Sequence, residues 1–380
     1  MRADPSRRRA AVFSPARRFG GVRPPIIGAL AVVIALIGLF IWLALADSSD
    51  RPAEGDDGTR VHLSLKNEEA PSDVSEAPPS EGQMPEGSGT TETAGQAVGN
   101  VTEAVVKAPI VVGPPLASVD PALLQPSSQG PLPIIGADDR RPWQVYAKPF
   151  QGGEGTPRLA IVIAELGFNR ETTEAAMRLP AEVTLSFSPY APNVADLVAQ
   201  ARQAGHEVML DLPMEPTTYP ADDPGPETLL VASSAVENVQ RLEKVLGRAQ
   251  GYVGVISYMG SRFTTAPDSL RPVLGMLAER GVLFVDGKTS ATSIAATIAE
   301  QLRLPRALND RFVDNEATRL SIDEGLAALE SDALRAGTAL GVGRPYPVTL
   351  QRLADWLPTL VARGIALAPV SAVVDRQKTR

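Results

Sequence analysis

From Pro142 onward, short runs of apolar and β-branched residues alternate with longer stretches in which apolar side chains recur every three or four positions. The short runs suit buried strands and the longer ones amphipathic helices, so the alternation predicts repeated βα units and an α/β class. Strands are expected at Leu159–Ile163, Val183–Phe187, Glu207–Leu212, Gly254–Ser257, Val282–Val285, Thr338–Val342 and Ala366–Pro369. Helices are expected near Arg170–Leu179, Asn193–Ala204, Ala235–Arg248, Pro267–Arg280, Ser293–Leu302, Ser321–Ala336 and Leu350–Ala362. Glycine follows the helix in Ala204-Gly205-His206, Arg280-Gly281-Val282 and Arg363-Gly364-Ile365, where a left-handed cap has no steric cost. These units fit one domain over residues 142–380.

Upstream the pattern is of a different kind. Ile26 to Ala46 carries no charge over 46 − 26 + 1 = 21 positions. At about 1.5 Å per residue such a helix crosses a hydrocarbon core of about 30 Å. A secretory signal peptide is the competing reading, with a weak cleavage site at Ala44, Ala46 and Asp47, but its apolar core is normally about 7–15 residues. The longer span, with Trp42 near its outer end, favours an uncleaved anchor. The tail 1–25 holds Arg2, Arg7, Arg8, Arg9, Arg17, Arg18 and Arg23 against Asp4, which keeps it on the cytoplasmic side and sends the rest of the chain across the membrane. Residues 47–141 are rich in Pro, Ser, Gly, Glu and Thr, and they read as a disordered linker. Within it, the apolar patches Ala108–Leu116 and Pro131–Ile135 are the places where it could dock.

Charge and composition remove some functions. The formal net charge of −8 includes the basic tail, so the exported part is more acidic still, which argues against nucleic acid as a partner. There is no cysteine, hence no disulfide framework and no thiolate chemistry.

Eight blocks in order carry a family resemblance: RLAIVIAELGF (Arg158–Phe168), LPAEVTLSFSPYAPN (Leu179–Asn193), AGHEVMLDLPMEP (Ala204–Pro216), DPGPETL (Asp223–Leu229), YMGSRFT (Tyr258–Thr264), GVLFVDGKTS (Gly281–Ser290), DRFVDN (Asp310–Asn315) and LGVGRPYPVTL (Leu340–Leu350). Together they resemble the divergent polysaccharide deacetylase family. The resemblance implies a distorted or incomplete (β/α) barrel, a bacterial envelope setting with the domain in the periplasm, and a polysaccharide or peptidoglycan-like glycan as partner. It also implies chemistry in which a cation polarises an acyl carbonyl and lowers the pKa of bound water, with a carboxylate base and an acid for the leaving group.

Against that pattern several positions differ. Where the family usually has two adjacent aspartates, this chain has Ala164 and Glu165. Where histidines are usual it has Asp211, Tyr258 and Arg344, and its only two histidines are His62 and His206. His62 lies in the linker, and His206 starts a strand at the end opposite to Asp211, so neither restores an imidazole.

The acids at strand ends, where barrel enzymes build their sites, are Glu165, Asp211, Asp286 and Asp314. Glu165, Asp211 and Asp286 are the candidate catalytic groups, and Tyr258, Arg262, Arg344 and Glu215 the candidate glycan contacts. Glu165 and Asp211 could hold a divalent cation such as Mg²⁺ or Ca²⁺ through oxygen. Alternatively the acids cap loops and form salt bridges. Two functions stay open: a membrane-anchored, metal-dependent carbohydrate deacetylase or esterase, and a non-catalytic glycan-binding or scaffold protein on the same fold.

Overall fold

The computed structural model describes residues 112–153 and 155–377. The basic tail, the candidate membrane span and the linker up to residue 111 lie outside the described residues. Among the described residues no helix is long and apolar enough to cross a membrane.

The sheet is entirely parallel in its large part. Its strands are β3 (Arg158–Leu166), β4 (Thr184–Phe187), β5 (Val208–Met214), β6 (Gly254–Met259), β7 (Leu283–Asp286), β8 (Arg306–Leu308), β9 (Arg311–Phe312), β10 (Thr338–Gly343) and β11 (Ala366–Ala368). They pair in the order β8-β7-β6-β5-β4-β3-β10-β9. β11 pairs with the first residues of β3, Arg158–Ala160, and β4 pairs further along, from Val162. The outermost strands β8 and β9 are consecutive in sequence, so the sheet curls until its two edges meet at Asn309-Asp310. No ladder joins those edges. Gln377 spans them instead, with its Nε2 donating to Leu308 O at 2.6 Å and to Asp310 Oδ2 at 2.6 Å. The result is the incomplete α/β barrel that the resemblance implies.

Between the strands run α2 (Arg170–Ala176), α3 (Val194–Gln203), α4 (Ala235–Leu246), α5 (Pro267–Glu279), α6 (Ala295–Gln301), α7 (Arg319–Ala336) and α8 (Pro347–Trp356), after a one-turn α1 (Pro142–Val145). Their starts follow local chemistry. Ser234 and Glu237 form a reciprocal capping box at α4, while α5 and α8 begin with proline, whose fixed φ and missing N–H cost nothing there.

Two cores result from strand alternation. Inside the barrel lie Ala160, Val162, Met209, Ile256, Val285, Leu340 and Val342. Leu159, Ile161, Leu185, Leu210, Val255 and Phe284 face the helices. Fully burying each large apolar side chain contributes roughly 1.5–3 kcal/mol, so both faces are strongly specified.

The structure departs from expectation at three places. β8 and β9 were not foreseen, being too short to show a period. The last helix starts at Pro347 and stops at Trp356, where Pro358 helps turn the chain into the 3-10 turns Leu357–Thr359 and Val361–Arg363. Residues 112–141, assigned by composition to the linker, form part of the compact body: a 3-10 turn Pro121–Leu123, then β1 (Leu124–Gln125) paired antiparallel with β2 (Leu132–Pro133). Leu123 and Leu132 are buried, and this strap lies under the barrel where the strands begin, with Gly113 N bonded to Ala204 O at 3.0 Å and Leu116 N to Arg202 O at 3.0 Å. Arg202 fastens it by donating to Ala117 O at 2.5 Å, and also donates to Tyr146 O, just after the strap, at 3.3 Å.

Candidate functional site

At the opposite end, where the strands finish, a cleft of about 270 Å³ is lined by residues of β3, β5, β6, β9 and β10 and by the segments that follow β7 and β10. Ala164, Ile256, Phe312 and Val342 make an apolar back wall, and Glu165, Asp211, Tyr258 and Arg344 supply the polar groups.

Parity explains three of the four. Asp211, Tyr258 and Arg344 share the inward alternation of Met209, Ile256 and Val342. Glu165 does not, because Ala164 before it already faces inward. The register of β3 on β4 slips between Ile163 and Leu166, and Glu165 sits at φ 62, so a bulge with a left-handed residue turns its side chain toward the cleft. Asp211 holds that conformation: its Oδ2 accepts from Glu165 N at 2.9 Å, and its Oδ1 accepts from Ser186 Oγ at 2.6 Å.

Burial dominates the electrostatics. It pushes the Asp211 carboxyl up to about 7, against the Ser186 hydroxyl and with the nearby Glu165 charge in support. Burial also raises Glu165, opposed by Arg344 and reinforced by Asp314. The Tyr258 phenol is pushed up to about 12, again chiefly by burial, and stays a neutral hydroxyl. Burial works against the Arg344 charge, but Tyr346, Asp314 and Glu165 outweigh it.

Arg344 is well anchored. Its backbone N donates to Asp314 Oδ2 at 2.6 Å, its Nη1 to Tyr346 Oη at 3.1 Å, and its guanidinium lies over the Tyr346 ring at 5.8 Å. Its Nε is 3.5 Å from Glu165 Oε1. Asp314, itself buried, also accepts from Thr349 Oγ1 at 3.0 Å, and its Oδ1 has no hydrogen-bond partner.

The other candidates lie elsewhere. Asp286 has the outward parity, and its carboxylate is taken up by its own loop, accepting from Lys288 N at 2.8 Å and Ser293 Oγ at 2.7 Å. Glu215 and Arg262 pair with each other at 2.7 Å, and Glu215 Oε2 accepts from Val231 N at 2.6 Å, so this pair ties loops together beside the cleft. His206 is fully buried at the strand beginnings, its ring nitrogens 2.8 Å from Val183 O and 3.1 Å from Met177 O. Ser186, which orients Asp211, and the wall residue Phe312 were not foreseen. The inward parity of Ser186 in LSFSP was the available signal.

A divalent cation does not fit these donors. Both Asp211 oxygens are engaged, Glu165 faces a guanidinium, and the cleft lining offers no imidazole. Among the described residues no group of three His, Cys, Asp or Glu could hold a metal ion.

Comparison with known proteins agrees with the fold. A family model described as divergent polysaccharide deacetylase matches residues 161–374. An uncharacterized protein of Haemophilus influenzae is 25% identical over 203 residues, 53% of this chain and 72% of that one. The uncharacterized protein YibQ of Escherichia coli is 23% identical over 218 residues, 57% of this chain and 67% of the other. Among solved structures, an uncharacterized protein of Agrobacterium tumefaciens is 38% identical, with a TM-score of 0.63, and the match covers 64% of this chain and 100% of that one.

Proposed function

This chain being a member of the divergent polysaccharide deacetylase family, we propose that it is an envelope protein that holds a glycan in its cleft without a resident metal ion. The span Ile26–Ala46 anchors it in the inner membrane, with the N-terminus cytoplasmic and the barrel in the periplasm. The observation that carries the reading is Arg344, a fixed positive charge of the chain itself, facing Glu165 at 3.5 Å in the strand-end cleft. Metal-dependent deacylation needs an open site with several donors on one cation, and among the described residues no group of three His, Cys, Asp or Glu could hold such an ion. Arg344, Glu165 and the Tyr258 hydroxyl serve instead as donors and acceptors for a sugar, with Tyr346 offering a ring face.

A second reading keeps turnover, because a carboxyl held near pH 7, as Asp211 is, suits general acid–base work. One measurement separates the two. The full chain is purified, its metal content determined, and acetate release from acetylated glycan followed beside glycan retention. The binding reading expects glycan retained, metal far below one per chain and no acetate. Near-stoichiometric metal, lost together with acetate release on Glu165→Ala, overturns it.

A further inference from the structure

The cleft's charge makes a narrower statement available, one that rests on the glycan-binding reading above. Arg344 has five N–H donors in a planar fork, yet its guanidinium makes a single hydrogen bond, to the Tyr346 hydroxyl. The approach to Glu165, at 3.5 Å, is longer than the roughly 2.7–2.9 Å of a charge-assisted hydrogen bond. Asp314 and the Tyr346 ring fix the backbone and the guanidinium plane, so the fork is held in place with donors unfilled. Among the described residues lining the cleft it is the one cation, beside an apolar wall of Ala164, Ile256, Phe312 and Val342 that strengthens any ion pair made there. Of the acids around it, Asp211 is committed to Ser186 and the Glu165 amide, and Asp314 turns its Oδ2 to the Arg344 backbone and Thr349 while its charge supports the guanidinium. Tyr346, 36% exposed, is bonded to Arg344 through its hydroxyl, and Phe168, 65% exposed, follows two residues beyond the end of β3.

We infer that the cleft selects a sugar bearing a carboxylate, which Arg344 takes in a two-pronged hydrogen bond while ring faces on the rim pack against the sugar. The carboxylate displaces Glu165 from the guanidinium. Glu165 then accepts from neighbouring sugar hydroxyls and acts as the group that weakens binding of anions lacking them. Two sources share this chemistry, a hexuronate ring and the acid substituent of a muramyl unit.

The test measures affinities of the full chain for a hexuronate oligomer, for the neutral hexose oligomer of equal length, and for a peptide-free muramyl glycan fragment whose lactyl carboxylate is free. One charged hydrogen-bond pair is worth at least about tenfold. The wild type should therefore prefer one of the two acidic probes over the neutral oligomer by that factor. Whichever acidic probe binds tighter identifies the source. Arg344→Gln should abolish the preference, and Arg344→Lys, keeping the charge without the fork, should retain only part of it. Glu165→Gln should widen it. Equal affinity for acidic and neutral oligomers, or an unchanged preference in a folded Arg344→Gln chain, overturns the inference while the glycan reading stands. Absence of binding to all three probes sinks both.

Discussion

Asp211→Asn replaces the buried carboxyl by an isostere that carries no charge. The Asn carbonyl can accept from Glu165 N, and the amide can donate to Ser186 Oγ, so both contacts survive. In the wild type the Asp211 carboxyl rises from 3.8 to about 7 on folding. Three units at about 1.36 kcal/mol each amount to about 4 kcal/mol between its neutral and charged forms. Between these values the folded state binds more protons at this group than the unfolded one, so its contribution to wild-type stability declines as pH rises from about 4 to about 7 and is level beyond. The variant lacks that decline. Urea unfolding at pH 4 should find the two proteins within about 1 kcal/mol, whereas at pH 8 the variant should be more stable by up to about 4 kcal/mol with an unchanged m-value. The residual slope in the variant has contributions from Glu165, Glu207, Asp286, Asp310 and Asp314, all raised by burial. An identical stability difference at pH 4 and pH 8 would refute the assignment of the slope to this carboxyl.

Three further outcomes follow from contacts described above. Glu215→Ala, which strands Val231 N, should cost about 2 kcal/mol in chemical denaturation. Arg262→Ala should cost less than about 1 kcal/mol, since that side chain is 55% exposed; equal losses would contradict the loop-tying role. Placing Asp at 164 and His at 211 and 258 (Ala164→Asp, Asp211→His, Tyr258→His) should create zinc affinity measurable by calorimetry, and no gain would show that these positions do not converge as described.

The barrel could be read from the chain because most strands are apolar runs of four or more residues bounded by helices. The site was legible only in part. Asp211 and Asp286 look alike in sequence, each closing or nearing the end of an apolar run, but an odd or even offset from the inward residues decides which reaches the cleft. Glu165 inverts the rule: simple alternation points it outward, and the bulge reverses that, a three-dimensional event with no glycine to announce it. The strap was hidden in part, for another reason. Ala108–Leu116 and Pro131–Ile135 stand out as patches that could dock, and Gly113, Leu116 and Leu132 do so, but Leu123 and the turn around it sit in Pro-rich surroundings too short to show a period.

That docking has a mechanical meaning. Anything that tugs the polypeptide from upstream pulls first on Val112 and Gly113, at the pole where strands originate, and the load passes to Ala204 and Arg202 before it can reach the strand tips. The strand-end cleft, at the far pole, is not among the first contacts to bear that load.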